Sequence, residues 1–294
     1  MHFLIPAVGF GIASGVIIAL GALGFTLQFG LSDTLNIAYG AFVTAAAFLG
    51  YFFIRLGVNV WITMVIVSLL TGILSIAYYE FLLRGLIRRG LRFGGLVIAT
   101  LAAGIVIEYV VVFISGPQAL SYGNETGRTL RLWEITLSST QVVLIVVSAA
   151  LMLGLHLVLS LTTLGRMMRA TAVNRTLARS CGIRTEWVTR GVWGISGILC
   201  GCTGVALAMT TVAFDFTVGS TFLISMIAAA VVGGIGQPYG AMFGGLVIGL
   251  TEQISAAYWN PSYSDVVAFG LLIVVLLIRP RGLFSVEAHR HGLA

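Results

Sequence analysis

"LSDTLNIAYG", residues 31–40, sets Ser32, Asp33, Thr34 and Asn36 close together between two almost wholly apolar runs. The flanks, roughly 8–30 and 36–53, decide the fold class. Each has helical length, and neither shows the period-two alternation of a barrel strand. The polar residues between them are either an ordinary turn that caps the second helix or a break with unwound backbone held at membrane depth. Irregular backbone survives at that depth only against protein or beside a wet cavity, because lipid offers no hydrogen-bond partner.

The remainder of the 294 residues agrees with membrane flanks. The chain is 59% hydrophobic and 9% charged, whereas a soluble domain carries about 25% charged residues to stay dissolved. Apolar segments recur at about 8–30, 36–53, 60–81, 95–115, 141–161, 189–213, 221–235, 240–258 and 265–278. The expected fold is all-α: a polytopic integral membrane protein with eight or nine hydrophobic segments and 1–294 as one transmembrane domain. A full crossing takes about 20 residues at about 1.5 Å each, so 36–53 and 221–235 are short enough to be broken or re-entrant. Much of the glycine (37 residues) lies inside spans, as in "GISGILCGCTG" and "GAMFGGLVIG", where small faces let helices approach closely. The N-terminus lacks a basic leader region and runs straight into a span, so a cleaved signal is not expected. Cys181, Cys200 and Cys202 have no metal-ligand spacing and read as packing residues. No metal or cofactor is expected.

The net charge of +6 comes wholly from arginine, since the chain has no lysine. In a membrane chain basic residues mark cytoplasmic loops, so nucleic acid is not an expected partner and lipid is. Thirteen of the sixteen arginines fall in three places: 84–92, 166–190 and 279–290. All three are expected to be cytoplasmic, the C-terminus with them, and loop 116–140 outside. The parity of spans between the clusters closes, but the side of the N-terminus stays open.

Residues 164–188, "LGRMMRATAVNRTLARSCGIRTEWV", are amphipathic at helical spacing, with a helix stop at Gly182. From the residues alone this stretch is either a basic interfacial loop or a docking element for a cytosolic partner.

"GRMMRATAVNRTLARSCGI" resembles the cytoplasmic coupling segment of the LivH/LivM family of bacterial ABC importer permeases, with its G-R-x-x-R-A and later A-x-x-x-G-I. "AAAVVGGIGQPYGAMFGGLVIGLTEQI" (228–254) is similar to that family's glycine-rich run, and "ATLAAGIVIEYVVVFISGP" (99–117) to its fourth-span region. "LNIAYG" is similar to its N-F-A-H-G, with Tyr39 where the family has histidine, Ile37 where it has phenylalanine, and Gly40 retained. The matches run through most of the chain in the expected order, at the length of the LivH-type subunit.

The resemblance implies an inner-membrane permease for branched-chain or related amino acids, working by ATP-driven alternating access. It implies a second permease of LivM type, two cytosolic ABC ATPases and a periplasmic substrate-binding protein. Gly165, Arg166, Arg169, Ala170, Ala178, Gly182 and Ile183, within a coupling segment at 162–188, would engage the ATPase. The chain is not expected to be an enzyme: it has no phosphate-binding G-x-x-x-x-G-K-[ST] and no lysine to complete one.

On that reading the opening stretch lines the pathway. Asp33, Thr34 and Asn36 are N-cap residues, and the free N–H groups at the start of the next helix would suit a carboxylate. Tyr39, Gly40 and Glu108 complete the expected pathway set. Glu108 and Glu252 lie in apolar segments, at a cost of about 2.5–3.5 kcal/mol each as charges, and should face a partner or a wet cavity. Other readings stay open. Urea, short amides and aromatic acids use similar permeases, and an ion-coupled secondary transporter would leave the coupling segment unexplained. An intramembrane enzyme would need a nucleophile and base, which the sequence does not supply.

Overall fold

The computed structural model describes residues 4–123, 129–132, 135–259, 263–279 and 282–284. Asn124, Glu125, Arg128, Glu134, Arg281 and Arg290, on which part of the sidedness argument rests, lie outside these residues, as does the chain's end. Twelve α-helices are described: α1 (Leu4–Ser32), α2 (Ala38–Arg55), α3 (Val60–Tyr78), α4 (Arg84–Arg88), α5 (Phe93–Ser115), α6 (Ser139–Leu161), α7 (Thr163–Val173), α8 (Arg175–Ser180), α9 (Thr185–Thr210), α10 (Val218–Gly233), α11 (Pro238–Tyr258) and α12 (Ser264–Ile278).

Among the described residues six helical stretches are long and apolar enough to cross a membrane: Ala7–Ser32, Ala38–Arg55, Val60–Arg88, Phe93–Ser115, Ser139–Leu161 and Thr185–Thr210. The long stretch through 88 exists because a π-helical turn, Tyr79–Leu83, joins α3 to α4 without a break. The all-α membrane fold expected from the apolar runs is the observed one. Among the described residues its strands are a short antiparallel pair before α6, β1 (Thr129–Leu132) with β2 (Ile135–Ser138), beside one isolated bridge between Leu120 and Phe214.

Helix starts follow local chemistry. Asn59 Oδ1 accepts from the Trp61 amide (2.9 Å) at α3, and Gln141 Oε1 accepts from the Ser138 amide (3.0 Å) at the start of α6. Thr162 and Asn174 cap α7 and α8, and Pro238 opens α11.

Small residues set the packing. α1 and α11 run antiparallel in close contact: Gly11 lies against Leu250, Gly15 against Leu246, and Gly30 against Gly236. α3 and α9 meet through Gly72, Gly194, Gly197 and Gly201, with Thr71 Oγ1 donating across to the Gly197 carbonyl (2.9 Å). α1 therefore begins at the same end of the molecule as the hairpin, and α3, α6 and α12 finish at the arginine-rich end. At the hairpin end, Leu120 and Phe214 exchange backbone hydrogen bonds of 2.9 Å, and buried Tyr122 donates to the Ala47 carbonyl (2.7 Å). Burial raises the pKa of that phenol, which keeps it a donor.

Candidate functional site

The break between α1 and α2 lies inside the helix bundle. Thr100 of α5 accepts from the Ile37 amide (3.3 Å) and donates to the Leu35 carbonyl (3.2 Å), although its hydroxyl also lies 2.9 Å from the Val97 carbonyl. Thr100 is seven residues into α5, about 10 Å along the helix from its arginine-rich end. Trp193 Nε1 donates to Ser32 Oγ (3.2 Å) from eight residues into α9, about 12 Å along it. The chain thus turns back within the depth of its neighbours, and α2 starts beside the midpoint of α5, where a side chain on Gly104 would meet Ala38.

The expected caps are not used. Ile37 stands at the N-cap of α2 and makes no side-chain bond; Asp33 is exposed and takes a left-handed backbone (φ +48°); Thr34 donates to the Ser32 carbonyl (3.1 Å). Asn36, 1% exposed, donates from Nδ2 to Oε1 of Gln28 (2.9 Å), itself 2% exposed. Asp33, Thr34 and Asn36 as N-caps is therefore corrected: the break's backbone is held from α5, because Thr100 reaches a donor and an acceptor that no side chain within the break satisfies. Asn36 Oδ1 and, nearby on α3, Tyr78 Oη are buried without a hydrogen-bond partner among the described residues.

Two helices start within the bundle, and their starts cross. A Cβ on Gly40 would lie 2.7 Å from the Gly219 carbonyl oxygen and 3.0 Å from Cα of Ser220. The Gly219 amide donates to Thr44 Oγ1 of α2 (3.0 Å). Glu108, half-buried on α5, lies against Ser220 in the first turn of α10, where a carboxylate complements the helix's partial positive charge. Tyr39 is buried and meets Phe25 edge-on, with ring centroids 6.0 Å apart. Gly40 and Glu108 thus both lie against the start of α10, whereas Asn36 faces α1 through Gln28, Tyr39 packs between α1 and α9, and Asp33 is exposed. Glu252 is remote from them and accepts from Ser225 (2.7 Å).

At the arginine-rich end, α7 and α8 form an angled pair. The stop at Gly182 is a Schellman motif: the Ile183 amide donates to Ala178 O and the Gly182 amide to Arg179 O (3.0 Å each), with Gly182 at φ +83°. Ala178 and Gly165 are buried and structural, and Arg169 is committed to the Leu159 carbonyl that ends α6. Arg166, Ala170, Val173 and Leu177 are left on the exposed surface.

Sequence reasoning named Ser32 among the polar residues of the break but gave it no role, and it missed Gln28, Thr100 and Trp193, and also Glu80 and Glu186. Glu80 pairs with Arg84 and with Arg190 (2.6 Å each), and Glu186 with Arg84 and with Arg88 (3.2 Å for the latter). The signal for Glu80 was present, since "EFLLR" sets it four residues before its partner Arg84, whereas "EWVTR" points Glu186 to Arg190 and the structure pairs it with Arg84 and Arg88 instead.

Residues 7–276 match the family described as branched-chain amino acid transport system, permease component. Among similar proteins, the high-affinity branched-chain amino acid transport system permease protein BraD of Pseudomonas aeruginosa is 29% identical, over 97% of this chain and 96% of that protein. LivH of Escherichia coli, described in the same words, is 27% identical over 94% and 93%. A solved structure, PsaBC from Streptococcus pneumoniae in complex with Fab, shares the fold with a TM-score of 0.55 at 13% identity, over 96% of this chain and 93% of that one.

Proposed function

We propose, on the premise that the chain belongs to the permease-component family of branched-chain amino acid transport systems, that it moves branched-chain or related amino acids through a pathway bordered by the starts of α2 and α10. As a member of that family it is a membrane-spanning permease subunit of an ABC importer. Its hydrolytic energy comes from two separate cytosolic ATPases, its substrate from a periplasmic binding protein, and its second half from a LivM-type permease. The arginine-rich end faces the cytoplasm, consistent with the positive-inside rule.

The observation that carries the reading is the crossing of two helices that begin inside the bundle, with Gly40 and Glu108 against the start of α10 and Asn36 one turn before Gly40 in the break. Discontinuous helices at mid-depth are how transporters bring backbone dipoles and polar side chains to a substrate while every lipid-facing residue stays apolar. The zwitterion of an amino acid suits such a place: a carboxylate near helix N-termini and an ammonium near Glu108.

The coupling role rests on Arg166, Ala170, Val173 and Leu177, an exposed mixed basic and apolar surface on α7 and α8. Ala170→Glu combined with Leu177→Glu should abolish copurification of the ATPase while the permease still inserts and folds, because neither residue is buried. Undiminished copurification would remove the coupling assignment. ATP-dependent uptake of labelled leucine into vesicles carrying the whole complex tests the substrate, and uptake of a non-amino-acid amide instead would overturn it.

A further inference from the structure

α9 carries one continuous stripe of polar contacts from the coupling segment to the start of α2. Thr185 Oγ1 accepts from Arg179 Nε of α8 (2.9 Å), and one turn on Thr189 Oγ1 accepts from Arg175 Nη2 (3.2 Å). A further turn on, Trp193 Nε1 donates to Ser32 Oγ at the last residue of α1 (3.2 Å). Ser196 Oγ then donates to the Gly24 carbonyl (2.7 Å), and Cys200 Sγ to the Tyr39 carbonyl (3.7 Å). The spacing is four, four, three and four residues, so all five side chains lie on one helical face, along about 22 Å.

An adjacent face of the same foot is clamped to the π-helical turn and α4, which continue α3. Glu186 and Arg190, one turn apart, meet Arg84, Arg88 and Glu80 across the interface. The Trp193 indole stacks on Tyr79 at 5.3 Å, and Tyr79 opens the π-helical turn. π-turns are rare single-turn insertions in α-helices that recur at functional sites. Through Trp193 the stripe reaches a second element suited to two arrangements, the break, with a left-handed Asp33 and an Asn36 Oδ1 that has no partner among the described residues.

We propose that this face of α9 is the mechanical link between the ATPase and the pathway, with Trp193 as the positioning residue that holds the end of α1 through Ser32. The proposal rests on the coupling role of α7 and α8. Movement of α8 is passed to Thr185 and Thr189, α9 and the foot of α3 shift as one clamped body, and Trp193 draws Ser32 and so re-aims the break. No electron or group transfer is involved; the indole only donates a hydrogen bond.

The test uses the whole complex with its ATPases and binding protein. Trp193→Phe keeps an aromatic ring against Tyr79 and removes the donor, and Ser32→Ala removes the acceptor. Each should leave ATPase copurification and basal ATP hydrolysis intact while substrate moved per ATP falls about tenfold, the scale of one lost partly buried hydrogen bond. The double variant should fall no further than either single one, and Ser32→Thr, which keeps a hydroxyl, should restore most of the ratio. An unchanged ratio in either single variant overturns the proposal, as does a double variant whose losses multiply, or transport and hydrolysis falling in step. Loss of ATPase copurification in Trp193→Phe would also overturn it, because the residue would then be supporting the docking surface. Failure of the coupling assignment itself is read separately, from Ala170→Glu with Leu177→Glu.

Discussion

The arginine-rich end and the break between α1 and α2 treat polar groups in opposite ways. At the foot of α3 and α9, Glu80 and Glu186 each meet two arginines, in a half-exposed setting where water would solvate them in any case. At the break the one charged residue, Asp33, is exposed, while Thr34, Asn36 and Gln28 are uncharged and deeply buried, yet Asn36 Oδ1 and, nearby, Tyr78 Oη are left without partners among the described residues. A buried polar atom without a partner costs about 1–3 kcal/mol, whereas an exposed ion pair contributes about 0–1 kcal/mol. The costly arrangement sits at the candidate pathway and the inexpensive one at the clamp. A structure selected only for stability would have filled the break with leucine.

The largest effect should therefore come from the break. Gln28→Leu with Asn36→Leu removes both members of the buried pair, so neither is orphaned, and the thermal stability of the complex should stay unchanged or rise. Transport should nevertheless fall at least about tenfold, with copurification of the ATPase intact. Wild-type transport in this double variant would mean that the pair is merely tolerated, and the contrast between the two regions would lose its functional meaning.

A middle effect is expected at the better shielded carboxylate of the clamp. Glu80 is 22% exposed and holds Arg84 and Arg190 together, one on each side of the α3–α9 contact. Glu80→Gln keeps the shape and removes the charge, leaving both guanidinium groups facing each other. The melting temperature of the complex should drop by about 2–4 °C, and transport should fall in proportion to the folded complex. A larger loss of transport than of folded protein would move Glu80 from clamp to moving part.

What could be read from the sequence follows how local each interaction is. The nine apolar segments found their helices because length and composition suffice to make a membrane helix, and the stop at Gly182 was legible because a Schellman turn is written in the residues that form it. The shortness of 36–53 was legible too, and it pointed to a helix that starts inside the bundle. The caps were misread because they are not local: Thr100 supports the break from more than sixty residues away, in a mostly apolar segment where Glu108 was the residue that stood out. The stripe on α9 lay open as spacing, Thr-x3-Thr-x3-Trp-x2-Ser-x3-Cys, but only its partners on α8, α1 and α2 distinguish it from ordinary small-residue packing. The π-helical turn at Tyr79–Leu83 had no signal at all, since its residues suit an α-helix equally well.

The smallest effect belongs to Glu186, and its salt dependence sharpens the comparison most. Its side chain is 41% exposed and one of its partners, Arg88, is 64% exposed, so water and ions already screen much of the attraction. Glu186→Gln should lower the melting temperature by less than Glu80→Gln does. The difference from wild type should be largest in dilute buffer and vanish toward about 1 M salt, where charges more than about 3 Å apart no longer feel one another through solvent. The loss caused by Gln28→Leu with Asn36→Leu should be the same at every salt concentration, because neither residue carries charge or meets solvent. If Glu186→Gln instead cost as much transport as the break variant and did so independently of salt, the clamp would be acting as a buried, uncompensated site. The division between a hydrated anchor and a strained interior would then have to be drawn somewhere else in α9.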